Sequence, residues 1–280
     1  MDTMRIIKEV ISQYEENQFN EIVKWEQKVP SVVSMVLNTA LKPVTMLVQA
    51  VIPSKAIKGA LVASNWLAES LTDSKDIKRD GKVNTIKELQ HKDLELSDKL
   101  ANVVHNWANG IATAEGGAVG LAGLPGMVAD IPALITLSLR TIHKIGLCYG
   151  YECKTEADKR FVYGILSAAG ANTVEEKTIS VATLQAMSVT ISKMTWKKMS
   201  EKAMSNKYGI EAAILTIKAL AKQLGINITK RKAAQAIPVI GAGVGAAMNL
   251  AFINDVSWAA RREFQKRWLY DNKKIKEIDQ

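Results

Sequence analysis

AIPVIGAGVGAAMNLAFINDVSWAARREFQKRW, residues 236–268, decides how the rest of this chain is read. Between Lys232 and Asp255 there is no formal charge for 22 residues, and Phe252, Val256, Ala260, Phe264 and Trp268 then recur at every fourth position. That period marks a helix face rather than a strand. Gly241 and Gly245 have small-xxx-small spacing, which lets two helix backbones approach closely. Arg261, Arg262, Lys266 and Arg267 fall on other faces, close in sequence to Trp258 and Trp268. A basic helix with an aromatic stripe suits an anionic membrane or a protein groove, and the same stripe would equally serve to cover a glycine-rich core.

A second segment, GIATAEGGAVGLAGLPGMVAD at 110–130, has the same character. Gly116, Gly120 and Asp130 recur as Gly241, Gly245 and Asp255, each offset by 125 residues. An internal duplication or two packed helical hairpins would both explain this. Each Asp precedes an apolar or amphipathic stretch, so Asp130 reads as the N-cap of a helix beginning near Ile131. Asp255 reads as a similar cap or as a partner of Arg261 or Arg262. Gly, Ala, Asn249 and Asn254 bring little transfer energy, Pro125 and Pro238 interrupt, and Glu115 lies only 15 residues before Asp130. The composition therefore favours buried helices over reversible membrane embedding, and either over stable spanning.

Outward from these segments the pattern stays helical. Ile6, Ile7, Val10, Ile11 and Tyr14 lead into Phe19, Ile22, Val23 and Trp25, and further helices are expected over 32–52 and 55–71. TDSKDIKRDGKVNTIKE, 72–88, is dense in charge and turn formers, and reads as a linker. It divides an N-terminal helical region, 1–72, from a helical body, 88–280, with a single continuous body as the alternative. Thr155 with Asp158 and Thr173 with Glu176 have capping-box spacing. Gly150, Gly209 and Gly225 read as helix separators. The expected fold is all-α, a multi-helical bundle around two Gly/Ala-rich central segments.

The chain has 280 residues, 48% of them hydrophobic and 6% aromatic, so the core must rest on aliphatic side chains. Thirty-seven basic against 28 acidic residues leave a charge of +9, which favours anionic partners. Three histidines, His91, His105 and His143, and two cysteines, Cys148 and Cys153, suggest neither a metal centre nor a disulfide framework. The glycine runs lack the Lys and Ser/Thr of a phosphate-binding loop, so no cofactor is expected. Short basic runs at 230–232 and 261–267 do not amount to a sequence-specific nucleic-acid reader. MDTMRIIKEV lacks the apolar run of a signal peptide, so the expected location is cytoplasmic.

AEGGAVGLAGLPGMVADIPALITLSLRTIHKIGLCYGY, 114–151, with Arg160-Phe161 after it and TKRKAAQAIPVIGAGVGAAMNLAFINDVSWAARREFQKRW at 229–268, resembles the bacterial EcsC family. The resemblance covers most of the chain beyond residue 50. The family is named for a gene beside those of an ABC exporter linked to protein secretion. The resemblance implies an intracellular helical protein with a link to membranes, and supplies no catalytic residue set.

Asp130, Arg140, His143, Asp255, Arg261 and Arg262 are the candidate ligand- or partner-binding residues. Arg140 and His143 lie three apart on one helix, where they suit a phosphate or the wet face of an amphipathic helix. Gly116, Gly120, Gly241 and Gly245 are the candidate helix-packing positions. The leading expectation is a non-enzymatic cytoplasmic accessory or adaptor protein on the cytoplasmic side of the inner membrane. Its partner would be a membrane transport or secretion protein, or anionic lipid. The alternatives are an enzyme with a polar pocket near Asp130, His143 and Asp255, and an apolar-ligand or lipid carrier.

Overall fold

The computed structural model describes residues 4–7, 10–28, 61, 72–120, 123–193 and 241–277; at 5, 115–120, 123–131, 189–193, 241–246, 248 and 277 the description is of the backbone. The expected helices over 32–52 and 55–71, and the separators Gly209 and Gly225, lie outside the described residues. The described elements run β1 (Met4–Ile6), α1 (Gln13–Gln27), α2 (Lys75–Gly81), a 3-10 turn (Ile86–His91), α3 (Leu94–Gly120), α4 (Gly123–Cys148), α5 (Glu156–Gly170), α6 (Val174–Lys193), α7 (Gly241–Asp271) and β2 (Ile275–Glu277). This is an all-α bundle. Among the described residues the one sheet is a two-stranded antiparallel clasp in which Met4 faces Glu277 and Ile6 faces Ile275. Three-residue strands are too short for an alternation pattern, which is why Ile6 reads as the start of a helix in the sequence.

Side-chain caps set several helix starts. Ser12 and Glu15 form a reciprocal capping box on α1, and Thr155 and Asp158 form one on α5. The shorter Asp158 side chain reaches the Thr155 amide only at 3.3 Å. Thr173 caps α6 through the Glu176 amide, but Glu176 returns its bond to the Asn172 amide, one residue further out. Gly150, at φ +91°, turns the chain after α4, and a Cβ there would lie 2.3 Å from the Gln90 amide nitrogen.

α7 is the central element. From Phe252 to Leu269 nearly every residue is buried, whichever face it occupies. Phe264 sits amid Tyr149, Tyr151 and Phe161, with ring centroids 6.4, 5.6 and 5.4 Å away. α4 comes close enough here that a Cβ on Gly146 would meet Phe264 Cζ at 2.8 Å. α3 runs antiparallel along α7: Asp98 bonds Gln265, Asn102 bonds Arg261 and His105 bonds Asn254.

Several sequence expectations are corrected. Asp130 is not an N-cap, because α4 begins at Gly123 and continues through Asp130 with Pro132 inside it. Asp255 is likewise mid-helix, in a helix that starts at Gly241. The shared offset does not reflect a shared conformation. Gly116 and Gly120 lie in α3 and Asp130 in α4, whereas Gly241, Gly245 and Asp255 share one helix. The 72–88 stretch is folded rather than a solvated linker: Ile77, Val83 and Ile86 are buried in the common core, and Lys144 on α4 holds Asp76 at 2.6 Å. Phe19 and Ile22 of α1 join that same core.

Candidate functional site

The basic residues of the last helix do not form an exposed face. Arg261, Arg262, Lys266 and Arg267 are all under 10% exposed. Arg267 pairs with Asp158 of α5 at 2.9 Å and lies 4.2 Å from the Tyr151 ring centroid. Lys266 pairs with Glu26 of α1 at 2.6 Å. Arg261 donates to Asn102 at 3.0 Å, and Arg262 donates to Gln18 and Gln265. Neither Arg makes its described hydrogen bonds to Asp255. Trp268 is also internal, its indole N–H donating to the Leu89 carbonyl. α7 is buried on all sides along this stretch, and charges carried on such a helix need partners from the surrounding helices.

The most connected acceptor is Asp98 of α3, 4% exposed. It accepts from the Tyr14 hydroxyl at 2.7 Å, the Tyr149 hydroxyl at 2.5 Å and Gln265 Nε2 at 2.6 Å. This ties α1, α3, the end of α4 and α7 together. Burial, reinforced by the Asp98 carboxylate, holds both phenols well above their ordinary range, so each stays a donor.

Close by, α1, the end of α5, the start of α6 and α7 enclose a cleft of about 340 Å³. Asp255, Arg262, Trp25, Trp258 and Lys177 line it, with Ala168 and Ala169 as small wall residues. Lys177, 6% exposed, donates to the Trp25 and Lys28 carbonyls at the end of α1 and lies 4.4 Å over the Trp25 ring. Burial pushes its ammonium down to about 8, against an upward pull from Asp255. Arg262 sits 5.0 Å over Trp258. Beneath them Glu263 is 1% exposed, and its Oε1 has no hydrogen-bond partner. Burial pushes its carboxyl up to about 8.

The remaining candidates stand apart. His143 is buried, and desolvation lowers its imidazole to about 4; the described carboxylate acting on it is Asp158. Asp158 meets α7 at Arg267, twelve residues beyond Asp255, about 18 Å along the helix. His143 and Asp255 therefore do not share a pocket, and the side chain of Asp130 lies outside the described ones. Arg140 stacks on Trp107 at 4.9 Å with Lys144 beside it at 5.9 Å, so it too diverges from His143. Cys148 is fully buried and its thiol is pushed upward by desolvation, which disfavours the nucleophilic thiolate.

Sequence reasoning missed Asp98, Tyr149, Lys177, Glu263 and Gln265. A signal existed for the last two. Glu263 and Gln265 flank Phe264 of the aromatic stripe, which places them beside the buried face of the helix. Asp98 and Lys177 gave no such signal, since each looks like an ordinary exposed helix residue.

The sequence pattern of the EcsC protein family matches residues 16–269. A curated relative, the uncharacterized protein YdbA of Bacillus subtilis (strain 168), is 25% identical over 190 residues. That match covers 68% of this chain and 64% of the relative, so it spans just under two thirds of the relative's length. No solved structure matches the chain. Among the described residues no helix is long and apolar enough to cross a membrane. The family pattern begins within α1 rather than beyond residue 50, in keeping with Phe19 and Ile22 lying in the common core. From α1 almost to the end of α7, the chain belongs to the EcsC protein family.

Proposed function

We propose that this chain is a non-catalytic accessory protein that attaches peripherally to the inner membrane or to a membrane transport protein there. The observation that carries this reading is the uneven distribution of charge along the bundle. The pairs Arg267–Asp158, Lys266–Glu26 and Lys274–Glu15 gather towards the C-terminal end of α7. At the other end, where α3 gives way to α4, α7 has no charged residue from Gly241 to Asn254. A charge-poor end on a chain of net charge +9 suits an anionic lipid interface or the groove of a membrane protein.

The glycines fit this reading as the means by which that end is built. The antiparallel register of Asp98 with Gln265 and Asn102 with Arg261, carried along both helices, brings the Gly116–Gly120 run alongside residues 243–247, which overlap the Gly241–Gly245 run. The two small-xxx-small runs then complement one another rather than repeat. Gly116→Leu and Gly245→Leu should each overpack this contact and lower stability by about 1–3 kcal/mol, read from urea midpoints; unchanged midpoints in both variants would rule the contact out.

Fractionation tests the attachment. The protein should sediment with membranes and be released by alkaline carbonate. Recovery wholly in the soluble fraction at low salt would refute peripheral attachment, and persistence through carbonate would replace it with insertion.

A further inference from the structure

We propose that the cleft between α1, α5, α6 and α7 binds a phosphate group, carried by a small phosphate ester or by a phospholipid headgroup. Four cations line it, Lys24, Lys28, Lys177 and Arg262, against two carboxylates, Glu21 and Asp255. Among the described lining residues this leaves an excess of two positive charges, which suits an anion, whether a phosphomonoester or a singly charged phosphodiester headgroup. Glu21 is already engaged, since Lys24 holds it at 2.7 Å.

Arg262 is the clearest unfilled donor. Its Nη1 bonds Gln18 and Gln265, but its Nη2 comes no closer than 3.8 Å to Glu21, and its buried Nε has no partner. A guanidinium presents five N–H groups in a planar fork suited to phosphate oxygens. Lys177 uses two of its three N–H groups on the Trp25 and Lys28 carbonyls, and the third remains. Both side chains are under 10% exposed, and burial disfavours the charged form of each. Trp25 and Trp258 lie against these cations without neutralising them. A bound anion would supply what burial withholds.

The dimensions narrow the ligand. About 340 Å³ lies at the lower end of the range for small-molecule sites, roughly 300–1,000 Å³. Ala168, Ala169 and Ala171 form a low wall that admits a few carbon atoms beside the phosphate. A headgroup or a short ester fits, and a whole acyl chain does not. Asp255 stands at the same cleft and opposes an anion, so neutralising it should tighten binding.

The test uses the full-length chain and tryptophan fluorescence, to which Trp25 and Trp258 at the cleft contribute among the chain's six tryptophans. Inorganic phosphate and glycerol 3-phosphate are titrated in one arm, and phosphatidylglycerol against phosphatidylcholine vesicles in the other. Saturable binding in the soluble arm identifies a small ester. Saturation only with phosphatidylglycerol identifies a headgroup. In either case Lys177→Gln should weaken binding at least tenfold and Asp255→Asn should tighten it several-fold. Should Lys177→Gln fail to fold, Lys24→Gln combined with Lys28→Gln at the exposed rim should weaken binding several-fold. No saturation in either arm, or affinities unmoved by these substitutions, would overturn the proposal. Membrane attachment through the charge-poor end does not depend on this cleft, so these substitutions separate the two readings.

Discussion

Asp98→Ala is expected to destabilise the bundle by about 3–5 kcal/mol, measured from urea midpoints, because it strips a buried carboxylate from three donors at once. The Tyr14 and Tyr149 hydroxyls and Gln265 Nε2 all converge on it, and Gln265 also holds Arg262 at 2.9 Å. Losing the acceptor therefore reaches across four helices. Tyr149→Phe removes a single donor and should cost only about 1–2 kcal/mol. A double substitution should fall well short of the sum, since the two residues share one bond. An Asp98→Ala loss below 1 kcal/mol would mean that the network is solvated or rearranged.

Glu263→Gln should make the protein more stable than the unaltered chain above pH 8. In the folded state the carboxyl is raised from 4.5 to about 8 by burial. A carboxyl raised in this way contributes stability that is fully present below about pH 4.5 and is lost as pH rises towards 8. The shift corresponds to a loss on the order of 4 kcal/mol across that window. Glutamine has nearly the same shape and no proton to lose, so the variant should not share this decline. Lys177, pushed down to about 8, acts with the opposite sign: its contribution grows as pH climbs from there towards its ordinary value. Comparing the two proteins at each pH isolates Glu263 from that background. Thermal or urea stability from pH 5 to 9 should show the curves diverging progressively, with the variant ahead at the alkaline end. Parallel curves would show that the carboxylate is neutralised inside the fold, with Lys266 the nearest means of doing so.

The helical class and the caps of α5 and α6 were legible because they depend on neighbours three or four residues apart. Thr155 with Asp158 needed no tertiary information, and neither did the turn at Gly150. The supposed linker misled because its charges and its Asp80-Gly81 pair are what a solvated connection also shows. Ile77, Val83 and Ile86 are spaced too irregularly to announce a buried face. Asp130 misled for a related reason: an Asp two residues before a proline resembles a cap, and a helix tolerating Pro132 in its interior lies against local propensity.

The last helix shows the division most plainly. Its sequence by itself determined a helix carrying an aromatic stripe, four cations and a charge-free first half. Only the tertiary structure decided that Arg267 meets Asp158, that Lys266 meets Glu26, and that Arg262 stands half-filled beside Lys177. The physical reason lies in the range of the forces. Periodicity and capping act within one or two turns and are written in adjacent residues. Whether a cation faces water, lipid or a carboxylate depends on which helix lies alongside, and here the carboxylates Asp158 and Glu26 come from more than 100 positions away in the chain.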